Sequence, residues 1–221
     1  DVVAKRFDAL PHHAPVTPVP ALYRGGEMRA KRRHEQANIV VGFEGVSFDD
    51  PDNYAAHVFA NAVGDGMSSR LFQEVRERRG LAYAISSFHW SFADTGLFGF
   101  HAATGKADAG DLVAVALDEL VRATADLDEA EIRRAKALMK VGMLSGLESL
   151  PSRAERAARQ TMLFGRVIPL EEVLGRIDGL SVDMVRRAGR RLLSSLPTVT
   201  ALGPIGKVPD IGRVTARLAG L

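Results

Sequence analysis

The 221-residue chain contains no cysteine. This absence excludes disulfide bonds, thiolate nucleophiles and cysteine-type zinc sites, and it suits a reducing compartment. There is also no apolar run of the roughly 18 residues that a membrane-spanning helix needs. We therefore expect a domain that folds without covalent cross-links and without a membrane span.

Several common catalytic motifs are missing as well. The metallopeptidase helices H-E-x-x-H and H-x-x-E-H place two imidazoles one turn apart to share a zinc ion, and neither occurs. No G-x-S-x-G elbow and no P-loop is present. His89 and His101 are expected roughly opposite each other on two strands, where they could share a metal ion. Because no carboxylate is fixed nearby, we interpret them as ordinary surface residues and not as metal ligands. The sequence predicts no metal site in this chain.

The charges are nearly balanced, with 29 Lys and Arg against 27 Asp and Glu and a net charge of +2. This balance does not favour nucleic acid as a partner. A hydrophobic content of 46% provides for one sizeable core. Residues 1–34 are Pro-rich and are predicted to be an extended linker, and residues 35–221 a single domain. Because the chain starts at Asp1, we expect a piece of a longer protein.

Alternating and helical periodicities predict the elements of this domain. The first strand covers residues 35–45, and its apolar side consists of Ala37, Ile39, Val41 and Phe43. A helix follows, with Asp50 as N-cap, Pro51 at its first position and Gly64 as its end. Further helices are predicted at 109–124, 128–149, 151–164, 170–177 and 182–194, and a last strand at 198–204.

Residues 81–104 are predicted to form a long hairpin. One side of its first strand is expected to face the core: Ala82, Ala84, Ser86, Phe88, Trp90 and Phe92. Hairpins and a helical block without βαβ repeats indicate an α+β fold, with helices packed on a mostly antiparallel sheet.

The glycine-rich segment between the first helix and the hairpin is the first candidate for function. Gly64 and Gly66 are expected to supply positive φ angles, and Ser68 or Ser69 to cap a short helix over residues 70–79. A loop before a helix N-terminus also exposes N–H groups, so Gly64, Gly66 and Ser68 are candidates for contacting a ligand or a partner's backbone. The tight turn is the simpler interpretation.

Arg76 and Tyr83 form the second candidate site. A turn at Gly80 can direct both side chains to one place, and both are strong hydrogen-bond donors suited to a carbonyl oxygen or oxyanion. Ordinary roles stand beside this one, because arginine at a helix end interacts favourably with the helix dipole and tyrosine is common on strands.

The stretch GDGMSSRLFQEVRERRGLAYAISSFHWSFADTGLFGF resembles the C-terminal-half motif of the pitrilysin (insulinase) family of zinc peptidases, in the branch of the mitochondrial processing peptidase and its bacterial homologues. Similarity continues upstream in YRGGEMRAKRRHEQANIVVGFEGV and downstream in FGRVIPLEEVLGRIDGLSVDMVRR and LPTVTALGP. The resemblance therefore covers nearly the whole chain.

The resemblance implies one half of a two-domain, clam-like metallopeptidase. Its N-terminal half holds zinc through H-x-x-E-H, while its C-terminal half contributes an arginine and, seven residues later, a tyrosine that contact the substrate backbone. In RERRGLAY these are Arg76 and Tyr83. The implied partners are a peptide and the zinc-binding half or a partner subunit, a homodimer is compatible, and the implied location is the bacterial cytoplasm.

Three interpretations remain open. The parent protein is either an active peptidase or an inactive relative that serves as a substrate-binding or structural subunit. A protein-interaction module is the third interpretation, in which the hairpin edge or its aromatic face receives a partner strand. Either way, the chain by itself is expected to be folded, free of zinc and without protease activity.

Overall fold

Five strands form one sheet in the computed structural model, which describes residues 2–9 and 18–219. His12 and His13, with the rest of residues 10–17 of the predicted linker, lie outside these ranges. The strands are β1 (Gly26–Lys31), β2 (Gln36–Gly45), β3 (Ala84–Ser91), β4 (Gly96–Gly105) and β5 (Thr198–Gly203). Their order is β1-β5-β2-β4-β3; β1 and β5 run parallel, and the other neighbours run antiparallel.

Helices supply the second layer. They are α1 (Val2–Phe7), α2 (Asn53–Gly64), α3 (Ala109–Asp126), α4 (Glu129–Gly146), α5 (Leu150–Phe164), α6 (Leu170–Asp178), α7 (Val182–Leu193) and α8 (Ile211–Leu218). A π-helix spans Phe72–Arg78 and a 3₁₀ turn spans Ile205–Lys207. The α+β prediction is confirmed. Within the described residues, no helix combines the length and the apolar character that crossing a bilayer requires.

The core lies between one face of the sheet and the helices, chiefly α2, α3 and α7. The predicted apolar side of β2 points into it, and Ile39, Val41 and Phe43 are fully buried. Phe98 on β4 packs against Phe43 and against Phe59 of α2, with ring centroids 6.1 and 5.7 Å apart. We call the face of the sheet that packs against the helices the covered face, and the opposite face the open face.

Of the residues predicted to face the core, Ala82, which precedes β3, is buried, but within β3 the predicted side is wrong by one residue. Ile85, His89 and Ser91 lie on the covered face, whereas Trp90 is 56% exposed and stacks on Phe88 with ring centroids 4.5 Å apart. Because side chains alternate across a strand, a shift of one residue reverses every side chain. The aromatic residues suggested burial, but the helices cover the opposite side of the strand.

The predicted start of α2 is also wrong. Asp50 and Pro51 precede the helix, which begins at Asn53. The Asp50 carboxylate accepts the Asp52 N–H at 2.8 Å and pairs with Arg191 of α7 at 2.6 Å. Asp50 therefore ties the turn before α2 to a neighbouring helix instead of capping α2.

Strand β1 lies inside the segment predicted to be an extended linker. It is extended, but it pairs with β5 at the edge of the sheet. Before it, the Tyr23 hydroxyl donates to the Gly42 carbonyl at 3.1 Å and lies 2.8 Å from the Thr198 hydroxyl. The division into a linker of residues 1–34 and a domain of residues 35–221 stays a prediction.

Candidate functional site

The last residue of α2, Gly64, is needed for close packing. A Cβ atom on Gly64 would lie 2.5 Å from the backbone nitrogen of Ser87 on β3. Gly64 does not have a positive φ, so that prediction is wrong for this residue. Its role is to let the end of α2 approach β3, and Ser87 donates its hydroxyl to the carbonyl of Ala60 in the same contact.

The loop that follows α2 is held against α4. Gly66 has φ +76, as predicted, and the buried Ser69 donates its hydroxyl to the Gly66 carbonyl at 2.8 Å. Arg134 of α4 donates to the Ser68 carbonyl at 2.9 Å. The role of Gly64, Gly66 and Ser68 in binding a ligand or partner stays a prediction.

A π-helix carries Arg76, where the sequence predicted an ordinary short helix. Just before this helix, Arg70 donates to both carboxylate oxygens of Glu131 at 2.6 and 2.7 Å and pairs with Asp126. Leu71 and Val75 are fully buried and anchor its inner side. π-Helices are rare and occur often at functional sites.

Arg76 is exposed on the outer side of this helix. Its guanidinium lies over the Phe72 ring, 4.8 Å from the centroid. The neighbouring Arg78 and Arg79 both pair with Glu74, at 2.9 and 2.8 Å. Within residues 2–9 and 18–219, no ion pair engages Arg76, so its donors are available to a ligand.

The chain then turns sharply at Gly80, which has φ +62. The Leu81 N–H donates to the Val75 carbonyl at 2.9 Å, and Thr104 of β4 donates to the Leu81 carbonyl at 2.6 Å. Tyr83 follows, with its backbone N–H bonded to β4 and its side chain 62% exposed. Arg76 and Tyr83 thus lie on the two sides of one fixed turn, each with its polar end open to solvent.

The histidines pair differently from the sequence expectation. His89 lies opposite Phe98, and His101 opposite Ser86. His89 instead meets His57 of α2, with ring centroids 4.5 Å apart, and accepts the Val46 N–H at 3.3 Å. Burial, and then the neighbouring imidazole, lower the pKa of His89 to about 3, and burial lowers the pKa of His57.

No three His, Asp or Glu side chains in the described parts of the chain are grouped so that they could hold a metal ion. The His57 and His89 pair lies in the polar layer between α2 and β3, where Asn53 donates to the Ser91 hydroxyl at 2.6 Å. These residues do not fit a zinc site. The pair was missed in the sequence because its members come from different elements.

Sequence reasoning also missed the ion pairs formed at the π-helix and just before it. Arg70 finds its partners on α3 and α4, far away in the chain, so local patterns contain no signal for it. Glu74 has a weak signal, because an arginine stands both four and five residues after it. The spacing of five residues between Glu74 and Arg79 indicates a contact only if the segment is known to be a π-helix.

Comparison with known proteins shows which family the chain resembles. A family model described as the Peptidase M16 inactive domain matches residues 1–139. An uncharacterized zinc protease of Streptomyces coelicolor is 36% identical over 175 residues, which are 79% of this chain and 38% of that protein. Subunit beta of the mouse (Mus musculus) mitochondrial-processing peptidase is 29% identical over 224 residues, covering 96% of this chain and 46% of that protein.

A solved structure shows the same fold. A chain of complex III2 from Candida albicans, determined with Inz-5 bound, matches with a TM-score of 0.86 and 25% sequence identity. The match covers 96% of this chain and 54% of that chain. The present chain therefore spans roughly half, or less, of the proteins that it resembles.

Proposed function

Because the chain belongs to the Peptidase M16 inactive-domain family, we propose that it is the half of a zinc protease that does not hold the metal, with Arg76 and Tyr83 contacting the substrate. The observation that carries this proposal is the turn at Gly80. It lies between Arg76 and Tyr83, which are seven residues apart and both exposed, and its backbone is fixed by hydrogen bonds to the π-helix and to β4.

The chemistry of these two groups suits an extended peptide. A guanidinium offers several N–H donors in a fixed plane, and a phenol offers one O–H donor. Both can donate to carbonyl oxygens of a peptide backbone, and a donor that meets the oxygen on which charge develops is worth about 3–4 kcal/mol. The contribution depends on donors that are already in place before the substrate arrives.

The metal is proposed to lie outside this chain. Zinc proteases bind their ion through grouped His and acidic side chains, and the described residues contain no such group. We place the zinc and the glutamate that activates water in the companion N-terminal half or in a partner subunit. A peptide is the substrate of the assembled protein, and a homodimer of such proteins is compatible with the proposal.

Substitution in the full-length protein tests the two roles. Arg76→Ala and Tyr83→Phe should each lower kcat/KM for peptide cleavage, by about 100-fold or more for the one that meets the oxyanion. Arg78→Ala is the matched control, because Arg78 is exposed on the same helix but pairs with Glu74. If cleavage survives both site substitutions unchanged, the assigned roles are wrong.

Metal analysis of this chain alone tests the division between the halves. We expect a folded protein without stoichiometric zinc and without peptidase activity. One tightly bound zinc ion per chain would contradict the proposal.

A second candidate is a catalytically inactive subunit that binds substrate or a companion protein. The exposed Trp90, with Phe92 at 46% exposure, favours it, because apolar side chains on an open sheet face are suited to receive a partner. Trp90 is the sole tryptophan, so its fluorescence should change when the companion half is added. An H-x-x-E-H motif in that half would favour the active peptidase.

A further inference from the structure

The π-helix of residues 72–78 lies between two ends that other elements fix. At its start, Arg70 is clamped by Glu131 and Asp126. At its exit, Leu81 is bonded to Val75 within the turn and to Thr104 of β4. The register of the intervening turns then decides where each outer side chain points, Arg76 included.

Glu74 contacts Arg79, and this contact distinguishes the α-helical register of the segment from the π-helical register. In an α-helix, residues four apart lie about 40° from each other around the axis, and residues five apart about 140°. A π-helix closes its hydrogen bonds five residues apart, which brings the fifth residue alongside. Glu74 meets Arg78 at 2.9 Å, as an α-helix also allows, and Arg79 at 2.8 Å, which the π register favours.

The Glu74–Arg79 pair is the better-placed of the two. Arg79 donates from Nε to one oxygen of Glu74 at 2.9 Å, and its Nη2 lies 2.8 Å from the same oxygen; its side chain is 51% exposed against 71% for Arg78. These arginines hold the pKa of Glu74 below its ordinary value, Arg79 contributing most. The carboxylate is thus charged and engaged at neutral pH.

We propose that Glu74 is a positioning residue, whose pairing with Arg79 holds the wide turn and so fixes the direction in which Arg76 leaves the helix. A return to the α register would displace outer side chains by one position, about 100° around the axis. This inference rests on the proposed role of Arg76 in contacting the substrate. Glu74 acts through Arg76 and does not itself contact the substrate.

The first test uses the chain as it is and does not depend on activity. Exchange of the Leu81 amide hydrogen, measured by NMR, reports the bond to Val75 that closes the turn. Arg79→Ala should speed this exchange about fivefold and Glu74→Gln about as much or more, while Arg78→Ala leaves it within about twofold. Arg79→Lys should restore most of the protection. Equal effects of Arg78→Ala and Arg79→Ala would overturn the proposal.

The second test asks in the full-length protein whether Glu74 acts through Arg76. Glu74→Gln should lower kcat/KM for peptide cleavage in the wild-type background and have no further effect when Arg76→Ala is already present, because the two residues then form one unit. An equal loss in both backgrounds would mean a merely structural role and would overturn the proposal.

The two tests separate this inference from the function on which it rests. If Arg76→Ala leaves cleavage unchanged, the proposed role of Arg76 in contacting the substrate fails, while the exchange of Leu81 still shows whether Glu74 and Arg79 hold the turn. If Arg76→Ala lowers cleavage but Glu74→Gln does not, the proposed function stands and the positioning role of Glu74 is wrong.

Discussion

The two faces of the sheet are built from alternate residues of the same strands, yet they differ in what contacts them. On the covered face, Phe43 and Phe98 are completely buried under helices. On the open face, Trp90 is more than half exposed, and Tyr23 bonds to β2 and β5. Since apolar area stabilises a fold only when it leaves water, the covered face supplies the stability of the isolated chain. The aromatic residues of the open face are available for another molecule.

The candidate site shares the exposure of the open face but has the support of the core. Arg76 and Tyr83 are exposed, while Leu71 and Val75 beneath them are fully buried. Substitutions at the exposed positions should therefore change function with little effect on folding, and substitutions underneath should do the reverse.

Truncation of an aromatic residue should have opposite consequences on the two faces. Phe98→Ala should lower the free energy of unfolding by about 3–5 kcal/mol, because it leaves a cavity among packed rings. Trp90→Ala, the matched change on the open face, should cost less than about 1 kcal/mol. Urea denaturation of the chain followed by circular dichroism measures both. Similar losses would show that the two faces do not differ in this way.

Adding a methyl group at Gly64 should also be costly. The new Cβ would lie 2.5 Å from the backbone of Ser87, so α2 and β3 would have to separate. We expect a loss of about 1–3 kcal/mol in unfolding free energy. Gly142→Ala is the control: that glycine lies inside α4 with open space around it, and its replacement should stabilise by about 0.5–1 kcal/mol. A neutral Gly64→Ala would contradict the close packing.

Acid should destabilise the covered face through His89. Its pKa is about 3 in the folded chain and ordinarily 6.5, so the unfolded state binds more protons between these values and stability falls as the pH falls. At pH 5 the loss should reach about 2 kcal/mol relative to neutral pH. His89→Gln should flatten the dependence of unfolding free energy on pH between 7 and 5. An unchanged slope in the His89 variant would refute this assignment.

The smallest effect on stability is expected at the candidate site itself. Arg76→Ala and Tyr83→Phe should change the unfolding free energy of the chain by no more than about 0.5 kcal/mol, because both side chains are exposed. Thermal unfolding of the variants measures this. Loss of folding in either would show that the pair is part of the structural support.

Much of the fold could be predicted because local patterns agree with it. The alternation of β2 identified both the strand and its buried side, since four apolar residues recur with a period of two. Helices α3 to α7 begin and end within a few residues of their predicted limits. Asp128 and Glu131 at the start of α4 form a capping box, a signal that depends only on neighbouring residues.

The errors arose where local signals conflict with packing. β3 has Phe88 and Trp90 on one side and Ile85 with His89 on the other, so periodicity alone could not say which side the helices cover. The short β1 strand was missed because its parallel partner, β5, lies at the opposite end of the chain. The ion pairs of Arg70, just before the π-helix, join it to α3 and α4, and no local pattern encodes them.

By itself, the sequence determined the types and limits of most elements, the absence of cysteine chemistry, and the choice of Arg76 and Tyr83 as candidates, because periodicity, capping and composition act over a few residues. Tertiary structure decided which face of β3 is buried, that Gly64 is needed for close packing, that His57 meets His89, and that Arg76 stands on a π-helix. Each of these depends on contacts between segments that are distant in the chain.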